Sequence, residues 1–284
     1  LCRNSMTSAR ILSGRRPGFR EYHRQIFLCC WCIWSSCDDR REDNSRMNFR
    51  EKLKKRAEDI GVFLDEKQLG QFEQFYHLLL EKNKVMNLTS ITEEDEVIEK
   101  HFVDSLTCGR VMDMQSVHRM IDVGTGAGFP GIPIKISYPH IEVILLDSLN
   151  KRVKFLDEVR KQLELTDVQA VHGRAEDAAR LPEYRAGFDL AVSRAVANLS
   201  TLSEYCIPFV KVNGFFISYK AGKGLEEIEN SDSCMKALGS KIVKVDEFQL
   251  PGEDSLRVLI KIKKCKGTSK AYPRKAGIPS RSPL

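Results

Sequence analysis

A short apolar run that leads directly into a glycine-rich turn constrains the fold of this chain more than any other feature. Residues 120–123 have the length of a buried strand, and Gly124, Gly126 and Gly128 follow at once. Glycine adopts positive φ angles without strain and lets the backbone approach a ligand with no Cβ atom in between. Pro130 suits the first turn of a helix, where its missing N–H leaves no hydrogen bond unmade. The stretch therefore predicts a strand, a turn and a helix N-terminus that together cradle a ligand.

A second apolar strand is predicted over Ile141–Asp147, and it ends in a carboxylate. An acid at the tip of the second strand of such a unit is placed to bind both hydroxyls of a ribose. This arrangement fits either a dinucleotide or S-adenosylmethionine. Two features favour S-adenosylmethionine: Asp122 lies just before the first glycine, where a dinucleotide fold usually has an apolar strand residue, and the turn lies well inside the chain, behind a helical region. We therefore predict a nucleoside-type cofactor site, with a plain tight turn as the alternative.

Charge is unevenly distributed along the 284 residues, whose formal net charge is +6. Residues 261–284 contain eight Lys or Arg and no acid, and residues 1–46 contain nine Arg and five acids, so the stretch between them is net negative. A mildly acidic body with a basic C-terminal tail predicts a polyanionic partner that the tail helps to hold. A solvated tail that only improves solubility is the alternative.

The cysteines and the first residues indicate a cytoplasmic protein without a structural metal. Five of the nine Cys lie in residues 1–46, and the other four are scattered without metal-ligand spacing. The apolar stretch 26–34 is far too short to span a membrane, and no cleavage site of a signal peptide follows it. We expect residues 1–46 to be a non-native or disordered extension and Met47 to be the natural start. An organellar transit peptide is the alternative.

The rest of the chain reads as an α/β fold behind a helical subdomain. Residues 48–110 have helical periodicity, and Asp65 with Gln68 predicts a capping box, while Thr92 is expected to cap a later helix. Strands and helices then alternate up to two last strands, Lys241–Leu250 and Leu256–Ile262, at the antiparallel end of the sheet. The predicted division is a helical subdomain over 47–116, a Rossmann-like domain over 117–264 and a basic tail over 265–284.

Candidate site residues follow from position alone. Arg194 and Lys220 are predicted at the carboxyl ends of strands, where ligands of open parallel sheets bind. As a structural residue, Arg194 would need a buried acid partner. His101 and Ser105 lie one helical turn apart and share a face, where they either serve a site or satisfy buried polar groups.

Taken together, these stretches resemble the RsmG family, also called GidB, of bacterial methyltransferases that act on small-subunit ribosomal RNA. The resemblance lies in Asn87–Ile91 (NLTSI), His101–Leu106 (HFVDSL), Asp122–Gly131 (DVGTGAGFPG), Leu146–Leu156 (LDSLNKRVKFL), Gly173–Asp177 (GRAED), Ser193–Ala197 (SRAVA) and Tyr272–Gly277 (YPRKAG). It runs from about Met47 to the end, and the set is specific although the glycine motif alone is not. The basic tail matches only part of the family.

The resemblance implies a class I S-adenosylmethionine-dependent methyltransferase fold with a mostly parallel, seven-stranded sheet. The implied reaction methylates N7 of a guanine in the 530 loop of 16S ribosomal RNA, free or within the small ribosomal subunit. By matching motif, the implied cofactor residues are Gly124, Gly126 and Phe129 on the methionine side, Asp147 on the ribose, Ala175 and Glu176 on the adenine side, and Arg194 at the rim. The implied RNA or base pocket contains Asn87, His101, Ser105, Lys151, Arg152, Arg194 and Lys220. No metal, no membrane and a monomeric state are expected.

The implied chemistry demands little of the protein. Guanine N7 is already a lone-pair nucleophile and the sulfonium is an activated leaving group, so alignment and desolvation provide the rate and no general base is needed. Three alternatives stay open. They are a non-catalytic RNA-binding protein that kept the fold, a methyltransferase of another substrate, and an NAD-linked oxidoreductase, for which no hydride-transfer pair stands out near the strand ends.

Overall fold

A computed structural model describes residues 47–194, 197–222, 224–251 and 255–284. The prediction made for residues 1–46 lies outside the described residues. Asn48–Leu284 form one unit. Within the described ranges, no helix has both the length and the apolar character needed to cross a membrane.

Helices and strands alternate after an all-helical beginning. The helices are α1 (Phe49–Asp59), α2 (Glu66–Met86), α3 (Glu94–Val97), α4 (Asp104–Leu106), α5 (Gly131–Ser137), α6 (Asn150–Gln162), α7 (Ala175–Ala178), α8 (Leu199–Cys206), α9 (Gly224–Glu229), α10 (Asp232–Leu238) and α11 (Ile278–Arg281). A π-helix covers Ile98–Val103, and 3₁₀ turns cover Thr107–Arg110, Met114–Ser116 and Ile207–Phe209. The strands are β1 (Arg119–Val123), β2 (Glu142–Asp147), β3 (Val168–His172), β4 (Phe188–Arg194), β5 (Val210–Ala221), β6 (Ser240–Gln249) and β7 (Leu256–Lys264).

The seven strands form one sheet in the order β3-β2-β1-β4-β5-β7-β6. Strands β1 to β5 pair in parallel, while β7 is antiparallel to both β5 and β6. The predicted α/β fold with a mostly parallel, seven-stranded sheet is thus confirmed. The two last strands also form where they were predicted, but only β7 runs against the others. Strand order reverses between β1 and β4, and ligands of such sheets bind in the crevice at this switch point.

The sheet separates two hydrophobic clusters. Met120 packs into one cluster and Ile121 into the other, because successive side chains of a strand point to opposite faces. The first cluster also contains the buried face of α2, including Phe72 and Phe75, and the ring of Phe129 from the glycine turn. The ring centroids of Phe75 and Phe129 lie 5.3 Å apart. The N-terminal helices therefore share one core with the sheet, and the boundary at residue 116 stays a prediction.

Local signals explain where α2 begins but not how the next helix is built. At the start of α2, Asp65 Oδ1 accepts the Gln68 N–H at 2.8 Å and Gln68 Oε1 accepts the Asp65 N–H at 2.9 Å, which confirms the capping box. The cap predicted at Thr92 is wrong, because α3 begins after Glu93 without a side-chain cap. The helix then widens into the π-helix Ile98–Val103, a distortion frequent at functional sites.

Gly131 at the start of α5 offers a stability prediction. A Cβ atom there would lie 2.4 Å from Leu145 Cδ2 and 2.8 Å from Asp122 Oδ2. We expect Gly131→Ala to lower the free energy of unfolding by about 1–3 kcal/mol, because the packed neighbours must move. Urea denaturation measures this change. The control is Gly70→Ala in α2, whose Cβ would lie 3.6 Å from the flexible Arg50 side chain and which gains helix propensity. Equal stability losses in the two variants would contradict the steric explanation.

Candidate functional site

The carboxyl ends of β1, β2, β4 and β5 border a cavity of about 840 Å³. The residues predicted from the sequence that line it are Gly124, Gly126, Phe129, Asp147, Arg152, Arg194, Lys220 and His101. A smaller cavity of about 280 Å³ shares Gly124, Asp147 and Ser148 with the first and adds Ala175 and Glu176. The structure thus brings the predicted cofactor residues together around two adjoining cavities at the switch point of the sheet.

Backbone hydrogen bonds hold the glycine turn open at this switch point. The N–H groups of Gly124 and Thr125 donate to the Leu146 carbonyl at 2.9 and 3.2 Å. Gly124, Gly126 and Gly128 have φ angles of 75°, 63° and 100°, which favour glycine. A Cβ atom on Gly126 would meet no atom closer than 4.0 Å, so a side chain there would enter the cavity itself. The turn leaves room for a ligand because it has no side chain at this position.

Asp147 connects the turn to the second strand. Its Oδ2 accepts the Gly126 N–H at 2.9 Å, and its Oδ1 accepts the Leu149 N–H at 2.8 Å. Arg152 Nη1 lies 3.4 Å from Oδ2. A carboxylate has about four acceptor positions, two on each oxygen, so Oδ1 can still accept a hydroxyl of a bound ribose while Oδ2 already has two donors. The backbone therefore orients this carboxylate toward both cavities and leaves it competent to bind.

Arg194 lies at the centre of a charged network on the wall of the larger cavity. Its Nη1 donates to Asp104 Oδ2 at 2.8 Å and to the Lys100 carbonyl at 3.1 Å. Arg257 Nε lies 3.4 Å from the other Asp104 oxygen. The guanidinium stands over the Phe129 ring, 5.2 Å from its centroid. Asp104 is the buried acid that a structural role of Arg194 requires, so this arginine is held by the fold and also faces the cavity.

His101 forms a flat wall beside this arginine. Its ring stacks on Phe129 with centroids 4.5 Å apart, and its Nε2 lies 2.8 Å from Thr89 Oγ1. Burial first, and then the charge of Arg194, lower the pKa of His101 to about 3. The imidazole is therefore neutral at physiological pH. Since Arg194 Nη2 approaches Nδ1 at 3.4 Å, we assign the proton to Nε2, which donates to Thr89.

The depressed pKa of His101 predicts a pH dependence of stability. The pKa is about 3 in the folded protein and about 6.5 in the unfolded chain, so between these values only the unfolded chain binds the proton. The free energy of unfolding should rise with pH in this window, by up to about 1.4 kcal/mol per unit, and this stability is lost as the pH falls.

In a His101→Gln variant the pH-dependent part of the free energy of unfolding that His101 contributes should disappear. The stability difference between wild type and variant should grow from pH 3 to pH 6.5 and stay constant above that range, which denaturant titrations at several pH values measure. His77→Gln, which replaces an exposed imidazole on α2, is the control. A stability difference for His101→Gln that does not change with pH would contradict the neutral, buried imidazole.

Lys220 and Asp122 complete the polar surroundings of the crevice. Lys220 Nζ lies 2.8 Å from Glu227 Oε2 and donates to the Ala197 carbonyl, so the ammonium is held by two acceptors. Asp122 is fully buried below the turn, and its Oδ2 accepts the Gly131 N–H at 2.8 Å. Burial raises the pKa of Asp122 to about 7. This acid fixes the end of the glycine turn and does not line either cavity.

Three predicted residues lie away from both cavities. Asn87 is exposed and ends α2 in the left-handed conformation, with a φ of 48°. Lys151 is exposed at the start of α6. Ser105 is fully buried and its hydroxyl donates to the His101 carbonyl within the same helix, which is the structural alternative considered for it. Roles for these three residues in RNA binding stay predictions, and for Ser105 a direct contact with a base has no geometric support.

Some residues of the crevice were not singled out from the sequence. Asp104, Thr89 and Arg257 line the larger cavity. Thr89 contacts His101, and Asp104 contacts both Arg194 and Arg257. Asp104 and Thr89 fall inside the quoted motifs, so a signal existed. The sequence contains no such signal for Arg257, because its place beside Asp104 depends on the pairing of β5 with β7. Among the described residues, no group of three or more His, Cys, Asp or Glu could hold a metal ion.

Comparison with known proteins finds close relatives in sequence. A family profile described as GidB, rRNA small subunit methyltransferase G, matches residues 68–256. The chain is 51% identical to the ribosomal RNA small subunit methyltransferase G of Lachnoclostridium phytofermentans over 225 residues, which cover 79% of this chain and 93% of the relative. It is 49% identical to the protein of the same name from Alkaliphilus metalliredigens over 232 residues, 82% of this chain and 97% of the relative. Among solved structures, M. jannaschii TYW2 in complex with AdoMet gives a TM-score of 0.42 at 18% identity, over 51% of this chain and 68% of that chain.

Proposed function

The chain belongs to the GidB family, rRNA small subunit methyltransferase G, and from this premise we propose that it transfers the methyl group of S-adenosylmethionine to N7 of a guanine in the 530 loop of 16S ribosomal RNA. We further propose that it acts in the cytoplasm as a monomer. The observation that carries the proposal is the pair of adjoining cavities joined at Gly124 and Asp147. A two-ended ligand, with a nucleoside at one end and an amino acid at the other, fits such a pair.

The residues present suit S-adenosylmethionine. In the proposed pose, Asp147 Oδ1 accepts a ribose hydroxyl, and Ala175 and Glu176 line the adenine end in the smaller cavity. The turn at Gly126 and the ring of Phe129 line the larger cavity, where the methionine end would lie. The cofactor supplies an electrophilic methyl group carried on a sulfonium. Gly126 matters most, because any side chain there would occupy the space that the cofactor needs.

The wall of the larger cavity suits a reaction that needs no proton transfer to start. Guanine N7 attacks with an existing lone pair, so the protein has to align the base, exclude water and shape the local field. His101 has a pKa of about 3, so it is too weak a base to take a proton near neutral pH, and its ring, stacked on Phe129, serves as a positioning surface. Methylation of N7 makes the guanine cationic, and the nearby positive charge of Arg194 then disfavours the product. We therefore expect methylated RNA to bind more weakly than unmethylated RNA.

A transfer assay tests the proposal. Labelled S-adenosylmethionine is supplied with 16S RNA or with small subunits, both purified from a strain that lacks the endogenous enzyme. We expect label in the RNA in at least one of the two forms, and the preferred form identifies the substrate. Small subunits from a strain that retains the enzyme are the control, since their target guanine is already methylated and should accept no label. Cofactor binding without transfer to either form would contradict the RNA assignment and leave the fold intact.

A further inference from the structure

The basic C-terminal segment, expected from its composition to help hold a polyanionic partner, is docked on the sheet domain. Arg185 Nη2 donates to the Thr268 and Ser269 carbonyls, each at 3.0 Å, and its Nη1 donates to the Tyr272 carbonyl at 3.0 Å. Arg180 donates to the Pro273 carbonyl. Two arginines in the segment between β3 and β4 thus bind a row of backbone carbonyls of the tail. The tail has a dedicated docking surface.

A buried ion pair anchors the tail at Arg274. Glu204 of α8 is fully buried, with an exposed fraction of 0%. Arg274 Nε lies 2.9 Å from Glu204 Oε1 and Nη2 lies 2.6 Å from Oε2, and the Arg274 N–H donates to Oε1 at 2.7 Å. Such a bidentate pair is geometrically specific as well as strong. Because a buried carboxylate is costly without a partner, the fold around Glu204 requires the tail to be in place.

Beyond the anchor, the chain reaches the adenine end of the proposed cofactor site. The Gly277 N–H donates to Glu176 Oε1 at 2.9 Å, and Thr201 Oγ1 donates to the Pro279 carbonyl at 2.9 Å. Gly277 and Ser280 line the smaller cavity together with Ala175 and Glu176. The tail therefore supplies one side of the cavity in which the adenine would lie.

We propose that residues 277–280 form a wall of the adenine subsite and that the Arg274–Glu204 pair is the clamp that holds this wall in place. The inference rests on the proposed function, because it takes the ligand of the smaller cavity to be the adenosyl group of S-adenosylmethionine. It assigns this part of the C-terminal segment to cofactor binding. The charge of Arg274 is neutralised by Glu204, and the partly buried Tyr272 packs against the core cluster beneath, so neither is presented to RNA.

Cofactor binding and tail docking should then be coupled in both directions. A ligand that contacts the docked tail binds more weakly when the docked fraction falls, and the ligand in turn raises that fraction. Hydrogen exchange of residues 268–284 should therefore slow when S-adenosylhomocysteine is added to the intact protein. An RNA arm that is independent of the cofactor site would show no such protection.

The main test compares two adjacent charge removals in the full-length chain. We expect Arg274→Ala to weaken binding of S-adenosylhomocysteine about tenfold or more, measured by isothermal titration calorimetry, because the wall is no longer clamped. The control, Lys275→Ala, removes the same charge from an exposed neighbouring side chain and should leave the affinity within about twofold of wild type. Unchanged affinity in Arg274→Ala would overturn the proposal. Equal losses of RNA affinity in both variants, with cofactor affinity retained, would assign the tail to RNA instead.

A second variant keeps the test decisive if Arg274→Ala proves unstable. Ser280→Phe leaves the Arg274–Glu204 clamp intact and places a ring at the lining of the smaller cavity. We expect it to weaken binding of S-adenosylhomocysteine about tenfold or more, with little change in the melting temperature. Wild-type affinity in this variant would overturn the proposal. Failure of the wild-type protein to bind S-adenosylhomocysteine would overturn the proposed function, whereas wild-type binding with unaffected variants would remove only the role of the tail.

Discussion

A Gly126→Val variant should lose S-adenosylmethionine binding, with a dissociation constant raised at least about 100-fold, which corresponds to about 2.7 kcal/mol. Two effects act together. The φ angle of 63° strains a β-branched residue, at a cost of about 1–2 kcal/mol. The side chain would also stand in the cavity, since Gly126 lines it and a Cβ atom there meets only the Gly124 carbonyl oxygen, at 4.0 Å. Isothermal titration calorimetry with the cofactor measures the loss.

The matched control for this variant is Gly61→Val. Gly61 has a φ angle of 77°, nothing lies within 4 Å of a Cβ built on it, and it lines neither cavity. The substitution therefore imposes similar backbone strain without touching the site. We expect Gly61→Val to bind the cofactor with wild-type affinity. Retained affinity in Gly126→Val would show that the cofactor site is elsewhere, and equal losses in both variants would point to backbone strain as the cause.

An Arg194→Ala variant should transfer methyl groups to ribosomal RNA about 100-fold more slowly while it still binds the cofactor. The guanidinium lies over Phe129 and beside His101. In the proposed reaction its planar group orients the target guanine in the cavity. Asp104 acts through Arg194, because its Oδ2 accepts the arginine Nη1 at 2.8 Å. Single-turnover rates with saturating RNA measure the effect on the transfer step.

The role of Asp104 as a positioning residue predicts non-additivity. We expect Asp104→Asn to slow transfer by about tenfold alone and to add little to Arg194→Ala, since residues that share one network do not act independently. Arg160→Ala, on α6 outside both cavity linings and paired with Asp157, is the control and should leave the rate unchanged. Multiplicative losses in the double variant would show that Asp104 acts without Arg194.

The glycine turn and Asp147 could be predicted because their signals are local and their meeting follows from a rule of topology. An apolar strand, a glycine turn and a second strand with a terminal acid lie within 30 residues or so, and parallel strands bring their carboxyl ends to one edge. Arg194 and Lys220 were placed at that edge by the same rule, and both line the larger cavity. What each one binds is still a proposal.

The partners of these residues could not be predicted, because they come from distant parts of the chain. Arg194 and Asp104 are 90 positions apart, and Arg274 and Glu204 are 70 positions apart. The composition predicted a basic tail that helps to hold a polyanionic partner. A count of charges cannot show that Arg274 is neutralised by the buried carboxylate of Glu204. The π-helix that contains His101 likewise left no trace in the periodicity. These features depend on contacts between distant parts of the chain, which residue types alone do not reveal.

The most direct test of the central claim is to map the methylated base. Small subunits from a strain without the endogenous enzyme are incubated with the protein and S-adenosylmethionine, and the 16S RNA is then reduced and treated with aniline, which cleaves at N7-methylguanine. The account predicts one new cleavage, in the 530 loop, that requires both the protein and the cofactor and is absent with Gly126→Val. Incorporated label without this cleavage, or cleavage at another guanine, would contradict it.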